Sequence, residues 1–196
     1  MSAVVSCRRS PRLHHESDEG SHTPLHTGHR DISAMAPPRS VDYLILVLMV
    51  YFVTMNLTVE RCYCKMTMEA CAAADWPLAA ATIDFCLQYN PLFLARPEWM
   101  RVATCVSAYV FCAGYALIGM AAALDLWLRL RLPLSVFIGA KLNAIAFYHL
   151  MEFSSTTPPP ALVPYFGVEG PYLVSIALVI WRLACLPDVT SKGKVS

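Results

Sequence analysis

The chain has 196 residues, of which 57% are hydrophobic and 15% charged, and its formal net charge is +1. Soluble domains carry about 25% charged residues, so the composition excludes an ordinary soluble domain. A net charge this small also gives nucleic acid no reason to bind.

Residues 1–41 are rich in Ser, Pro, His and Arg and poor in large apolar side chains, so they are expected to form a disordered cytosolic tail. No apolar run follows the early arginines, so this is not a secretory signal. His14, His15, His22, His26 and His29 offer metal ligands, but a solvated tail explains them more simply, and no metal or cofactor is expected. Residues 42–187 are expected to form the membrane domain and 188–196 a short cytosolic tail.

The first span is expected at Tyr43–Val59, uncharged and just long enough to cross a ~30 Å core at about 1.5 Å per residue. The loop after it, about forty residues, is too long to be featureless. Within it Trp76-Pro77 starts a short lumenal helix through Gln88, and Asn90-Pro91 ends it. Trp76 and Trp99 suit the aromatic belt at a membrane surface. The second span, Val102–Leu124, is a fully apolar run in which Ala108, Gly114 and Gly119 admit a close neighbour. The third, Leu132–Met151, opens with Pro133 in its first turn. A proline-stiffened loop, Phe153–Gly170, precedes the fourth span, Pro171–Leu186, where Arg182 is placed to snorkel and Pro187 to stop the helix. The reading is an all-α, four-helix transmembrane bundle with a lumenal loop helix. Arginines before the first span, Arg129 and Arg131 in the second turn, and Lys192 and Lys194 at the end outweigh Arg61, Lys65, Arg96 and Arg101 in the first loop and place both termini in the cytosol.

Cys62, Cys64, Cys71 and Cys86 fall in the first loop and are free to form disulfides if that loop is lumenal. Cys105, Cys112 and Cys185 lie in apolar runs, where a thiol behaves as a small hydrophobe. Cys62-Tyr63-Cys64 lacks zinc-site spacing.

Polar groups inside spans are costly and therefore informative. Asn56 and Glu60, four apart, share one face of the first helix. Asn56-Leu57-Thr58 matches a glycosylation sequon, but too near the bilayer for use. Lys141, Tyr148 and Glu152 recur at i, i+7 and i+11 and fall on one stripe of the third span, with His149 beside it and Asn143 on the far side. A lysine in lipid requires a partner or a watered cavity, and Glu60 and Glu152 are the natural candidates. Such a set serves acid–base chemistry, recognition of a ligand amine or hydroxyl, or an ion pair that orients helices. No nucleophile elbow, phosphate loop or HExxH motif is present.

The run Tyr89-Asn90-Pro91-Leu92-Phe93, then Arg96-Pro97-Glu98-Trp99-Met100 before span two, and Gly170-Pro171-Tyr172-Leu173 at span four resemble the EXPERA family. That family includes the emopamil-binding sterol Δ8–Δ7 isomerase and the sigma-2 receptor, and the last run is similar to the sigma-2 branch. The resemblance covers roughly residues 43–186. It implies a four-helix bundle in the endoplasmic reticulum membrane whose cavity takes sterols or amphiphilic amines. It also implies site positions at Asn56, Glu60, Asn90 and Ser107, to which Lys141, Tyr148 and Glu152 are added from their stripe. At three of the implied positions the family's His, acid and glutamate become Asn56, Asn90 and Ser107. The expectation is therefore a sterol- or lipid-binding protein in sterol or lipid homeostasis, rather than an enzyme. The alternatives are an isomerase of the emopamil-binding type and a structural subunit without a ligand. The partners are the bilayer and a sterol or other lipophilic molecule; a homodimer stays open.

Overall fold

The computed structural model describes residues 39–187, and what the sequence suggests for residues 1–38 and 188–196 lies outside them. Four of its helices are long and apolar enough to span a membrane, and there is no strand among the described residues. The fold is an all-α four-helix bundle.

Helix α1, Arg39–Lys65, lacks Gly and Pro throughout and carries Asp42 in its first turn, where a carboxylate complements the helix dipole. It begins inside the segment read as tail and outruns the expected end at Val59. The extension is held at its far end. The Arg96 guanidinium donates to the carbonyl oxygens of Tyr63 (2.8 Å) and Cys64 (3.4 Å), which the helix itself leaves unpaired. Near its middle, Asn56–Glu60 form a π-helical turn.

Three short helices follow: α2, Met68–Ala73; α3, Ala79–Tyr89; and α4, Pro91–Ala95. Thr67 caps α2 by accepting from the Ala70 amide (3.3 Å), and Asn90 caps α4 by accepting from the Phe93 amide (3.1 Å), with Pro91 at the first helical position. The loop helix expected between Trp76 and Gln88 is α3. Trp99 packs edge-on against Phe147 and Tyr148.

Helix α5, Glu98–Leu124, contains a second π-helical turn at Ser107–Phe111. Helix α6 is Arg131–Phe153 and α7 is Leu162–Ala184. The start of α7 is a correction: the last span begins well before Pro171, and only 154–161 is irregular. Pro171 sits inside the helix. It forgoes the bond to the Gly167 carbonyl, a loss that transmembrane helices tolerate when neighbours pack around them.

One apolar core runs along the spans, with Ile45, Phe52, Tyr115, Leu134 and Val179 at most 2% exposed. Gly114 admits the Phe137 ring so closely that any Cβ there would collide with it. A second core, including Tyr63, Met68 and Met100, joins the short helices to the ends of α1 and α5. Two disulfides staple this end: Cys62–Cys71 and Cys64–Cys105. Cys105, read as a free apolar thiol, is therefore bridged; Cys64, projecting from the extended α1, reaches α5. Cys86, read as a disulfide candidate, is a free buried thiol. At the opposite end Arg182 does not snorkel. It pairs with Asp42 (3.0 Å) and Asp125 (3.4 Å) and lies over the Trp127 ring, tying α7 to the start of α1 and the end of α5.

Candidate functional site

The two π-helical turns face each other, and Ser107 Oγ donates to Asn56 Oδ1 across the gap (3.3 Å). Asn56 Nδ2 in turn donates to the Phe52 carbonyl (2.8 Å), a side-chain bond that competes with the helix ladder. A π turn shifts the helix register locally and often marks a functional position. Here the shift brings Glu60 of α1 and Ser107 of α5 to the wall of one internal space.

That space has two chambers. The inner one, about 120 Å³, is lined among others by Glu60, Thr104, Ser107, Lys141 and Tyr148. The outer one, about 330 Å³, is largely apolar, with Tyr51, Met55, Val59 and Phe85 among its walls and Cys86 and Asn90 beside them. Glu60, Phe93, Glu169 and Tyr172 line both. Lys141 thus lines the inner chamber alone, Glu60 and Glu169 stand on the wall the two share, and the outer one is supplied mainly by α1, α3 and α7.

Five of the residues singled out from sequence line these chambers: Glu60, Ser107, Lys141 and Tyr148 the inner one, Glu60 and Asn90 the outer. Asn56 and Glu152 do not. Asn56 is wholly enclosed behind Ser107, which also leaves no room for a glycan. Glu152 is wholly enclosed behind Tyr148, whose hydroxyl donates to it (3.4 Å) and accepts from Asn90 Nδ2 (3.3 Å). The Tyr165 hydroxyl also donates to Glu152, and His149 Nδ1 lies 3.0 Å from that hydroxyl. This is a polar network backing the wall rather than facing the cavity.

Lys141 has neither of the partners expected for it. Among the described residues its ammonium makes no ion pair with a carboxylate. Instead Nζ lies 5.0, 5.4 and 4.9 Å from the ring centroids of Phe111, Tyr115 and Tyr172. Each such cation–π contact contributes about 0.5–2 kcal/mol, most where water is excluded. The aromatic cage replaces the counter-ion.

Two lining residues escaped the sequence reading. Pro171 reads as the helix start and leaves Glu169 in a loop, yet Glu169 stands about two turns into α7 and lines both chambers. Tyr172 was noted only within a motif; its hydroxyl approaches Glu60 Oε1 (3.5 Å) and its ring stacks on Phe52. An acidic residue three positions before a tyrosine in an apolar stretch was the available signal. Span two contributes Thr104 to the wall as well as the expected Ser107.

Outside the spans, burial pushes the Cys86 thiol up to about 12. It is therefore an inert lining group at neutral pH.

Compared with protein-family models, with curated proteins and with solved structures, the chain matches none. The arrangement itself therefore carries the functional argument. Two carboxylates, an amine and two phenols line one chamber that adjoins a larger, mostly apolar one. This suits an amphiphile whose polar end lies inward, and it also suits proton transfer to and from such a molecule.

Proposed function

We propose that this multi-pass membrane protein binds a sterol or related lipophilic ligand in the paired chambers, in the manner of the EXPERA family that its motifs resemble, within the endoplasmic reticulum membrane. The observation that carries the reading is the joining of a charged inner chamber to a larger apolar one between membrane-spanning helices. A subunit with no ligand would pack its helices without such voids. The lumenal assignment of the short-helix end draws support from its two disulfides, since such bonds persist in oxidising compartments.

The test is photolabelling. Purified protein in lipid nanodiscs is irradiated with a diazirine photosterol, with and without excess cholesterol. Saturable labelling on α1, α3 or α7, competed by cholesterol, is the expected result. Labelling that neither saturates nor competes would remove the reading.

A second reading is favoured by one observation. Glu169 gives the cavity a second carboxylate beside Glu60, with the Lys141 amine in the same wall. Moving a ring double bond requires an acid and a base facing one substrate, so a sterol Δ8–Δ7 isomerase is the alternative. Growth of an isomerase-deficient strain, rescued by the wild type and lost in Glu60→Gln or Glu169→Gln, would establish it. No growth with well-expressed protein would leave binding alone.

A further inference from the structure

A lysine kept inside a span for structure alone is expected to sit against a carboxylate. Lys141 does not. It is 8% exposed, lines the inner chamber, and makes no ion pair among the described residues. Its Nζ stands instead among the rings of Phe111 and Tyr115 from α5 and Tyr172 from α7. Glu60 and Glu169 line the same chamber and make no ion pair either. An amine and two carboxylates thus face one space without being joined, so they are not the salt bridge that would merely orient helices.

We propose that Lys141 is a reactive amine that forms a reversible imine with a lipophilic aldehyde held in the two chambers. The proposal rests on the chambers admitting a lipophile, as read above, and adds to that reading a covalent step and a carbonyl head. Lysines that act as nucleophiles are of this kind, desolvated in an apolar pocket rather than tied to a counter-ion. In the step, Nζ bonds to the carbonyl carbon, and the carbonyl oxygen leaves as water with two protons from the nitrogen. The ammonium becomes an iminium, so the charge is conserved and no oxidant or reductant takes part. The three rings that hold the ammonium hold the iminium as well. A wall carboxylate, Glu60 or Glu169, receives the proton that Nζ sheds before attack and returns one to the departing oxygen. Both then serve as counter-charge to the iminium. The inner chamber, about 120 Å³, takes the carbonyl end, and the apolar body lies in the outer one, about 330 Å³, among Tyr51, Met55 and Phe85.

The experiment uses the full chain in phosphatidylcholine nanodiscs, whose lipid carries no primary amine. All-trans-retinal is the probe, a lipophilic aldehyde whose protonated imine absorbs to the red of the free aldehyde. Borohydride then fixes any imine as a secondary amine, and peptide mass spectrometry locates it. The expected result is a red-shifted band above that of empty nanodiscs, with the adduct on Lys141 in preference to the exposed Lys65. Lys141→Arg keeps the charge but cannot form an imine, and it is expected to lose both. Glu60→Gln combined with Glu169→Gln is expected to weaken the red-shifted band, and a band unchanged in that variant would overturn the role given to the carboxylates. An adduct spread alike over Lys65 and Lys141 overturns the proposal, and this wild-type map decides even if a variant folds poorly. Retinal that competes with a diazirine photosterol yet leaves no adduct on Lys141 overturns the covalent step while binding stands. If neither retinal nor cholesterol competes with the photosterol, the binding reading falls and this proposal with it, so the two failures are distinct.

Discussion

Asn90 divides its two polar ends between local and long-range work. Its Oδ1 caps α4 and its Nδ2 holds the Tyr148 hydroxyl, which in turn donates to Glu152. Asn90→Ala removes both functions and is expected to cost about 1–2 kcal/mol, read as a lower Tm in detergent. Asn90→Asp keeps the cap and loses the donor, so its Tm should fall less; equal losses would show that capping is not what Asn90 supplies. Cys86 is the second test at this scale. With its thiol pushed up to about 12, the thiolate fraction at pH 8 is on the order of 10⁻⁴. Burial disfavours the charged form, so maleimide labelling should be slow at pH 7–8 and accelerate as pH rises, and rapid labelling at pH 7 would contradict an enclosed thiol. Asn90-Pro91 was legible as a helix boundary because capping is a local event. That Tyr148 receives its free end was not legible, because the two lie 58 positions apart.

Among the elements, periodicity served well where one helix decides the outcome and poorly where two must meet. The stripe of Lys141, Tyr148 and Glu152 follows from 3.6 residues per turn, and it is real: all three turn inward. Their partners depend on the neighbouring helices, and so the stripe alone points Lys141 to Glu60 and Glu152 where aromatic rings stand instead. The sequence places the start of α7 too late because a proline reads locally as a boundary, whereas packing inside a bundle tolerates it. The same limit hid the bridge between Cys64 and Cys105, which needs α1 to continue past Val59 and run beside α5. Arg182 provides a measurable consequence. Its two carboxylate partners come from α1 and from the turn after α5, and its side chain and that of Asp42 are 11% and 13% exposed. Truncation to Ala strands Asp42 in a largely enclosed position, and a loss of about 3 kcal/mol in unfolding free energy is expected. The paired change Arg182→Met with Asp42→Leu should recover part of that loss. If the double variant is as unstable as the single one, the pair is not what joins the three helices.

For the whole molecule, two independent features bear on the way the bundle sits in the membrane. The basic residues Arg129 and Arg131 flank the turn between α5 and α6, while 154–161 contains no Lys or Arg. By the positive-inside tendency the α5–α6 turn is expected on the cytosolic side. The disulfides lie at the other end of the same helices, where α1 finishes and α5 starts, and bridges of this kind persist in a lumen rather than in reducing cytosol. With four helices crossing in alternation, the arrangement expected from both features has the 154–161 loop on the lumenal side with the disulfides, and α1 beginning and α7 ending in the cytosol. A glycosylation acceptor carried on a flexible insert decides it. Placed within 154–161, it should be modified in cells and shift on glycosidase treatment; placed in the turn 125–130, it should stay unmodified. The reverse pattern would require the bridged cysteines to face the cytosol, where they would run as free thiols in alkylation assays on intact cells. Agreement of the two assays matters more than either alone, because the charge bias depends on residues flanking the spans, whereas the Cys64–Cys105 bridge depends on α1 running beside α5.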